Sequence, residues 1–382
     1  MAGGCPVKLV ISAVNFTEGG PLTILREIVR AVAEKFPQWT VHVLVHSLGT
    51  VQQPGVIEIA FPQSKRSWLR RLHLEWFDFM RVSRQLAPDV WLSLHDITPR
   101  VAAGRQYVYC HNPAPFCTAK VPGERHDRTF TLFRRFYSGL YRCFIHRNAA
   151  VIVQQEWLRD VFQLSFGVRR VIVAHPEVAL PAKPARSTAR PAAPAHFIYP
   201  AFPRVFKNFE LLGDCARLLE RDPRWTGTIT LTFDGTENGY SAEMRARFGD
   251  CRSLQFIGLQ TPQRLALLYE SCDAVIFPSL LETWGLPLTE AKAYGLPVLA
   301  ADLPYARETV GNCEQAVFFD ATNAAALAAL LLRLHLGERG FDAVTRRVPD
   351  APFASGWHEL LQILLVTDQA AAARSGPMAP TP

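Results

Sequence analysis

Residues 274–298 read AVIFPSLLETWGLPLTEAKAYGLPV, and this stretch of the chain indicates the fold most directly. It begins with the apolar run AVIFP, which is typical of a short buried strand. Pro287 can begin a helix and Gly295 can end it, which places Glu290 in the first helical turn. Glu282 then lies in the loop between strand and helix. The pattern predicts a strand, loop and helix unit of an α/β protein.

A loop that leads from the end of a strand into a helix is where open α/β sheets bind ligands. Unpaired backbone N–H groups and the positive end of the helix dipole converge there, and both suit phosphate oxygens. Gly285 allows close approach of a ligand to the backbone, and a carboxylate at the helix mouth can accept hydrogen bonds from a vicinal diol such as ribose. A single glutamate in a first turn can merely complement the helix dipole. The pair of glutamates with its glycine and proline favours a nucleotide site.

The surrounding residues, from Phe256 to Gly311, are FIGLQTPQRLALLYESCDAVIFPSLLETWGLPLTEAKAYGLPVLAADLPYARETVG. They resemble the donor domain of retaining glycosyltransferases of the group 1 type. That family carries a signature of Glu, seven residues and Glu with an internal Gly-x-Pro, found here from Glu282 to Glu290. The resemblance implies an α/β GT-B fold, in which two Rossmann-like domains face each other across a cleft. It also implies a role in bacterial surface-polysaccharide assembly, such as O-antigen or capsule.

The resemblance assigns roles to individual residues of the second half. Glu290 would hold the nucleotide ribose, and Glu282 would face the transferred sugar. The backbone at Gly258 would meet the nucleobase. Three further backbone positions would contact the sugar and the diphosphate: Gly285, Leu286 and Pro287.

Two cations precede this stretch, in the connection between a predicted strand at His196 to Tyr199 and a helix after Asn208. Arg204 and Lys207 suit a diphosphate leaving group, because each stabilises the charge that grows as the glycosidic bond breaks. In the resembled family the arginine stands five residues before the lysine, where this chain has Phe202. Two alternatives therefore stay open for Arg204: it reaches the diphosphate from a shifted position, or it does not reach it.

The length of 382 residues and the 49% apolar composition suffice for two α/β cores. We predict an acceptor-binding Rossmann-like domain over residues 1–178 and a nucleotide-sugar-binding one over residues 197–353. Residues 179–196, ALPAKPARSTARPAAPAH, have no periodic apolar face and are predicted to form the linker. Residues 354–366 form a final helix, which in GT-B proteins often packs back against the first domain. Residues 367–382 are predicted to be a disordered tail.

In the amino-terminal half, polar or glycine-rich loops follow three predicted strands. The pair Gly19 and Gly20 lacks both Gly-x-Gly-x-x-Gly and the lysine of a P-loop, so it is either a tight turn or, as the resemblance implies, a loop facing the donor phosphate. His111 would, by the same resemblance, reach towards the transferred sugar, although a histidine at a strand end is often only structural. For His95 and Asp96 both alternatives stay open.

Two basic, aromatic-rich segments, residues 64–86 and 128–147, are predicted to be helical. In the first, one helical stripe would carry Leu69, Leu72, Trp76 and Phe79. Such stripes either lie on an anionic membrane surface or pack on the sheet with their arginines in water. A lipid-linked acceptor would make the first alternative useful.

Composition restricts the partners further. The net charge of +7 favours anionic partners such as nucleotides, phosphorylated lipid carriers or a membrane surface, whereas no nucleic-acid-binding motif is present. No run approaches the roughly 20 apolar residues of a membrane span, and no signal peptide is recognisable, which predicts a cytoplasmic protein, peripheral on the inner face of the membrane at most. The eight cysteines show no Cys-x-x-Cys pairing, so neither a disulfide nor a zinc site is expected.

These features together predict a metal-independent retaining hexosyltransferase without a cofactor. It would move a sugar from a nucleotide-diphospho-sugar to a glycan or lipid-linked acceptor, and the departing phosphate would take the acceptor proton. No Asp-x-Asp is present to hold a metal-bound diphosphate. The alternatives are another GT-B enzyme, such as a sugar-nucleotide epimerase, and an inactive nucleotide-sugar-binding subunit.

Overall fold

A computed structural model describes residues 7–17, 19–177, 195–338, 340–342 and 348–366. The predicted linker, apart from its last two residues, and the predicted disordered tail lie outside these ranges. The chain forms two compact units. Unit 1 contains residues 1–112, 138–178 and 349–382, and unit 2 contains residues 113–137 and 179–348. Residues 113–137, which the sequence analysis assigns to the first domain, therefore belong to unit 2.

The strands of the described residues, in chain order, are β1 (Lys8–Ser12), β2 (Thr40–Val45), β3 (Val56–Ala60), β4 (Val90–Ser93), β5 (Arg105–Cys110), β6 (Ala150–Val153), β7 (Val171–Ala174), β8 (His196–Tyr199), β9 (Thr228–Leu231), β10 (Leu254–Phe256), β11 (Ala274–Phe277), β12 (Val298–Ala301), β13 (Ala316–Phe319) and β14 (Phe353–Ala354). The α-helices are α1 (Gly19–Lys35), α2 (Trp68–His73), α3 (Phe79–Leu86), α4 (Arg128–Arg142), α5 (Glu156–Phe166), α6 (Phe209–Leu219), α7 (Gly239–Phe248), α8 (Pro262–Ser271), α9 (Leu286–Ala293), α10 (Pro304–Val310), α11 (Ala324–His335) and α12 (Trp357–Val366). Within this described part, no helix combines the length and the apolar character needed to cross a bilayer.

Unit 1 is built on a parallel sheet whose strand order is β14-β7-β6-β5-β4-β1-β2-β3. Alternate residues of the central strand point to opposite faces. Leu9 and Ile11 join one core with α1 and α12, while Val10 joins a second core with Phe79 and Trp91. The strands read as continuous apolar runs because both faces of the sheet are covered.

Helix α12 is part of unit 1. Its Trp357 and Leu360 lie in the same buried core as β1, and Arg105 Nη1 donates a hydrogen bond of 2.9 Å to the Leu364 carbonyl. The helix closes one face of the sheet from a position late in the sequence.

The first basic helical segment differs from its prediction. A π-helical turn at Leu74–Asp78 separates α2 from α3 and shifts the helical register by about one residue. As a result Leu69 is 81% exposed whereas Phe79 is fully buried, so the predicted single stripe is wrong. Arg71 is buried, so the alternative in which the segment packs on the sheet with its arginines in water does not hold for this arginine.

Unit 2 is built on a second parallel sheet with the order β10-β9-β8-β11-β12-β13. Numbered within the unit, this is the order 3-2-1-4-5-6 of Rossmann folds. The order reverses between β8 and β11, and the equivalent reversal in unit 1 lies between β1 and β4. Loops that leave neighbouring strands in opposite directions open a crevice there, at the carboxyl ends of the strands.

Candidate nucleotide-sugar site

The loops after β8 and β11 carry most of the predicted donor residues. The first contains Arg204 and Lys207, and the second contains Glu282 and Gly285. Because β8 and β11 pair in parallel, both loops leave the same edge of the sheet at the point of reversal. The structure thereby brings together residues that lie far apart in the sequence.

Lys207 and Glu282 form an ion pair in which Lys207 Nζ donates a hydrogen bond to Glu282 Oε1. Their side chains are only 15% and 14% exposed. The ammonium group also lies 5.5 Å from the centroid of the Phe277 ring and 5.6 Å from that of Phe206. Low solvent access strengthens the electrostatic interaction of the lysine with its partner. The faces of the two rings also attract the ammonium group.

Asn208 ties the two loops together. Its backbone has φ +58°, in the left-handed region that asparagine tolerates better than most residues. Its Nδ2 donates to the carbonyls of Pro278, at 3.2 Å, and Ala321, at 2.9 Å. The Tyr199 hydroxyl donates to the Lys207 carbonyl at 3.1 Å. These bonds hold the backbone of Lys207 in place.

The loop after β11 enters α9 through Gly285, whose φ of +82° favours glycine. A Cβ at this position would come within 3.3 Å of the side chains of Leu288 and Phe277. Leu286 and Pro287 are the first two helical residues, so their backbone forms the mouth of α9. Since α9 begins at Leu286, Glu290 lies in the second turn, and the prediction of a first-turn position is wrong by one turn.

Glu290 is held by a residue that the sequence analysis missed. The Tyr269 hydroxyl donates a hydrogen bond of 2.5 Å to Glu290 Oε2, and the Tyr269 ring stacks on Tyr294 with centroids 5.1 Å apart. Burial raises the pKa of Glu290, and the Tyr269 hydroxyl partly offsets this rise. Nothing in the sequence pairs a tyrosine of α8 with this glutamate, because the contact depends on how α8 and α9 pack.

Arg204 is paired differently from Lys207. Its Nε lies 2.9 Å from Asp127 Oδ2, and the arginine side chain is 39% exposed. Its guanidinium also lies 6.0 Å from the centroid of the Phe206 ring. Arg204 is thus engaged by the 113–137 segment of unit 2, whereas Lys207 is engaged by Glu282.

Gly258 lies in the turn after β10 with φ +75°. A side chain there would meet Asp234 Oδ2 at 3.1 Å, and the Gly258 carbonyl accepts a bond of 3.0 Å from Gln260 Nε2. The turn leaves the same carboxyl edge of the sheet as the Lys207 and Glu282 loops, because β10, β9 and β8 are parallel.

In unit 1, Asp96 organises the loop that contains His111. Asp96 adopts φ +70°, and its Oδ1 accepts bonds from the backbone N–H groups of His111, at 2.7 Å, and Asn112, at 3.0 Å. The Tyr141 hydroxyl donates to the same oxygen at 3.0 Å. His111 Nε2 lies 3.6 Å from Asp96 Oδ2, and its ring packs against Phe16. Asp96 therefore positions His111 at the end of β5.

The remaining predicted residues of unit 1 occupy distinct places. Gly19 and Gly20 form the first two residues of α1, and Gly19 has φ +65°. His95 is buried, with Nε2 within 2.8 Å of Ser12 Oγ. Its Nδ1 lies 3.1 Å from Glu75 Oε1, so both ring nitrogens contact residues in the interior of unit 1.

Chemically, the unit 2 site offers one shielded cation, two carboxylates and a helix mouth. This set can bind a diphosphate and the hydroxyls of a ribose and a hexose. Among the described residues, no group of three or more His, Cys, Asp and Glu side chains is arranged to hold a metal ion. Metal independence stays a prediction.

Part of the chain is similar in sequence to known glycosyltransferases. Residues 207–342 match the family described as glycosyl transferases group 1. A D-inositol 3-phosphate glycosyltransferase from Nocardia farcinica is 35% identical over 98 residues, which are 24% of this chain and 22% of that protein. The chain spans about a quarter of the length of the curated relatives it matches.

Solved structures match over nearly the whole chain. Sucrose-phosphate synthase from Thermosynechococcus elongatus superimposes with a TM-score of 0.65 at 14% identity, over 96% of this chain and 100% of that one. Anabaena HepE in complex with UDP-glucose gives a TM-score of 0.58 at 15% identity, over 97% of this chain and 99% of that one. The predicted α/β fold of two Rossmann-like domains is confirmed. The chain has the GT-B fold, and its residues 207–342 carry the sequence pattern of the group 1 glycosyltransferases.

Proposed function

We propose that this protein is a retaining hexosyltransferase that uses a nucleotide-diphospho-sugar as donor and needs no metal. The observation that carries the proposal is the shielded Lys207–Glu282 ion pair, which lies within the family-matched segment beside the mouth of α9. A lysine with little solvent access is suited to a diphosphate, and a carboxylate next to it is suited to sugar hydroxyls.

In the proposed reaction the bond between the anomeric carbon and the diphosphate oxygen breaks. A bond from the acceptor oxygen to the same carbon forms on the same face of the sugar, and the acceptor proton moves to the departing phosphate. Lys207 and the amino terminus of α9 stabilise the negative charge that grows on the diphosphate. Glu282 orients the sugar and does not attack it, so no covalent intermediate forms on the protein.

Glu290 and Tyr269 bind the nucleotide rather than the reacting sugar. As an ionised carboxylate, Glu290 accepts hydrogen bonds from the two ribose hydroxyls, and Tyr269 fixes its rotamer. Because HepE is described in complex with UDP-glucose, UDP-glucose is the first donor to test. Arg204 stays a candidate for the diphosphate, since its side chain is 39% exposed although it pairs with Asp127.

The acceptor is proposed to be a glycan or a lipid-linked saccharide, held by unit 1 near His111. A peripheral position on an anionic membrane surface would bring the protein to a lipid-linked acceptor. Exposed apolar side chains beside arginines in residues 64–86 support this part of the proposal: Trp68, Leu69 and Phe77.

Release of UDP and glucose from UDP-glucose in the absence of acceptor tests the activity, because transferases slowly pass the sugar to water. Wild type should release both products in chelator, and Lys207→Ala should abolish the release while the exposed control Arg224→Ala keeps it. Conversion of UDP-glucose to another UDP-sugar would identify an epimerase instead. Binding without any turnover would identify an inactive nucleotide-sugar-binding subunit.

A further inference from the structure

Segment 113–137 of unit 2 supplies the acidic partner of Arg204. Its Asp127 immediately precedes α4, and the aspartate side chain is 14% exposed. Asp127 Oδ1 accepts a hydrogen bond of 2.9 Å from the backbone N–H of Phe130, as the N-cap residue of a helix does. Asp127 Oδ2 lies 2.9 Å from Arg204 Nε. One oxygen of this carboxylate is therefore fixed to a helix, and the other contacts the loop after β8.

Contacts before and after Asp127 fix the segment to the rest of unit 2. Arg125 Nη2 donates a hydrogen bond of 2.8 Å to Glu243 Oε1 on α7. The buried ring of Phe130 lies 5.4 Å from the ring of Phe206, measured between centroids. Phe206 belongs to the loop after β8. The position of Asp127 relative to that loop is thus set by contacts on both of its sides.

The contact with Asp127 engages one nitrogen of the Arg204 guanidinium and leaves the other two. Nε is buried, and its N–H does not point at Asp127 Oδ2 closely enough for a hydrogen bond, so the interaction is an ion pair. Nη1 and Nη2 make no hydrogen bond or ion pair with the residues that the structure describes. The arginine side chain is 39% exposed. Because Nε is buried, this accessible surface belongs to other atoms of the side chain.

Phe206 has both cations of the loop near its ring. The guanidinium carbon of Arg204 lies 6.0 Å from the ring centroid, and Lys207 Nζ lies 5.6 Å from the same centroid. Each cation has its own carboxylate, Asp127 for Arg204 and Glu282 for Lys207. Two cations near one ring suit the two phosphate groups of a diphosphate, and the terminal nitrogens of an arginine match two phosphate oxygens.

We propose that Asp127 is a positioning residue, which holds the Nε side of Arg204 so that both Nη groups are presented to the diphosphate beside Lys207. This inference rests on the proposed function, because it gives a task to a residue that does not itself touch the donor. It also selects one of the two alternatives for Arg204. The arginine reaches the diphosphate from its shifted place in the sequence, with segment 113–137 as its support.

Asp127→Asn tests this role with little disturbance of the fold. Asparagine caps helices as well as aspartate does, so the bond from the Phe130 N–H is kept while the negative charge is lost. The probe is inorganic pyrophosphate, titrated calorimetrically into the full chain at low ionic strength, since its binding depends neither on a nucleobase nor on turnover. Asp127→Asn should weaken pyrophosphate binding about three- to tenfold, and Arg204→Gln should weaken it at least about tenfold.

The sign of the change separates positioning from simple charge repulsion. A carboxylate that only repels the anion, or that keeps Arg204 away from it, would give tighter pyrophosphate binding once its charge is removed. Glu124→Gln is the matched control, because Glu124 lies in the same segment and pairs with Arg134 rather than with Arg204. It removes an equal charge and should change the affinity by less than about twofold.

A double variant shows whether Asp127 acts through Arg204. Asp127→Asn combined with Arg204→Gln should bind pyrophosphate no more weakly than Arg204→Gln alone, because a residue that positions a side chain has no effect once that side chain is gone. Additive losses in the double variant would overturn the positioning role. Unchanged or tighter binding in Asp127→Asn alone would also overturn it.

Lys207→Ala, measured in the same way, separates these results from failure of the proposed function. Pyrophosphate binding that weakens in Lys207→Ala but not in Asp127→Asn or Arg204→Gln rejects the positioning role and leaves the donor site in place. Binding that weakens in all three variants, without turnover of UDP-glucose by wild type, keeps the positioning role and rejects hexosyl transfer from this donor. Absence of pyrophosphate binding by wild type overturns both the positioning role and the diphosphate site.

Discussion

Lys207 and Glu282, 75 positions apart in the sequence, form an ion pair that is largely shielded from water. The pair exists because β8 and β11 are neighbours in the sheet, although three α-helices and two strands lie between them in the chain. In the apo protein Glu282 is the counter-ion of Lys207. A bound diphosphate offers the lysine a stronger anion, which would free the carboxylate to face the sugar.

Substitution of either partner should therefore abolish turnover with modest effects on folding. We expect Lys207→Ala and Glu282→Gln each to lower kcat/KM for UDP-glucose at least about 100-fold, as found for groups that stabilise developing charge. Lys207→Ala should also lower the free energy of unfolding by about 1–3 kcal/mol, because it leaves Glu282 without its cation. Urea denaturation separates the two effects. Unchanged turnover in Lys207→Ala would remove the lysine from the mechanism.

Tyr269 should act on nucleotide affinity through Glu290. Tyr269→Phe removes the hydrogen bond to Glu290 Oε2 and should raise the Kd for UDP about three- to tenfold, equivalent to roughly 1 kcal/mol. Glu290→Gln should raise it further. Both substitutions should change kcat less than KM, since the proposed function places both groups on the nucleotide rather than on the reacting sugar. A fall in kcat without a change in UDP affinity would show that this pair does not hold the ribose.

The pH dependence of the free energy of unfolding should reveal the raised pKa of the buried Glu75. Its pKa rises from 4.5 to about 7 on folding, so between these values the folded state binds more protons than the unfolded state. The carboxyl therefore makes the folded state less stable as pH rises from 4.5 to 7, relative to a variant that cannot ionise. His95, whose pKa burial lowers, acts in the opposite direction in both proteins.

The comparison of wild type with Glu75→Gln isolates this contribution. The free energy of unfolding of wild type minus that of the variant should decrease as the pH is raised from 5 to 8. Chemical denaturation at the two pH values measures it. A difference that stays constant would mean that Glu75 keeps its ordinary pKa in the fold.

Metal removal should leave the activity intact. In the proposed mechanism Lys207 and the amino terminus of α9 stabilise the charge on the diphosphate, so we expect donor hydrolysis to be equal in EDTA and in added Mg²⁺. Turnover that disappears in EDTA and returns with a divalent cation would contradict the metal-independent scheme.

Membrane association should depend on the exposed apolar residues of segment 64–86. We expect wild type to sediment with anionic vesicles, less so at high salt, because arginines flank Leu69 and Phe77, which are 81% and 55% exposed. Leu69→Glu with Phe77→Glu should reduce sedimentation several-fold. Leu259→Glu, at a position 58% exposed in unit 2, is the matched control. Absence of binding at low ionic strength would dispose of the membrane surface as a partner.

Local elements were predictable where short-range signals agree. The strand His196–Tyr199 and the helix that begins at Pro262 have the predicted bounds, because apolar runs and a proline at the first helical position act within one element. The same reasoning gave a wrong prediction for segment 64–86. A π-helical turn has no simple sequence signal, and one extra residue per turn rotates every later side chain. The spacing of four residues between Arg71 and Glu75 was the available sign of an ion pair, but it does not indicate that the pair is buried.

The sequence by itself determined the strand and helix units, the glycine at the mouth of α9 and the chemical types in the donor loops, since these depend on residues close together in the chain. Only the tertiary structure decided that Lys207 meets Glu282, that Arg204 meets Asp127 and that Arg71 is buried with an unpaired nitrogen. The physical reason is that strand order and helix packing set distances between residues remote in sequence. A pattern of single residues carries no information on which loops will share one edge of a sheet.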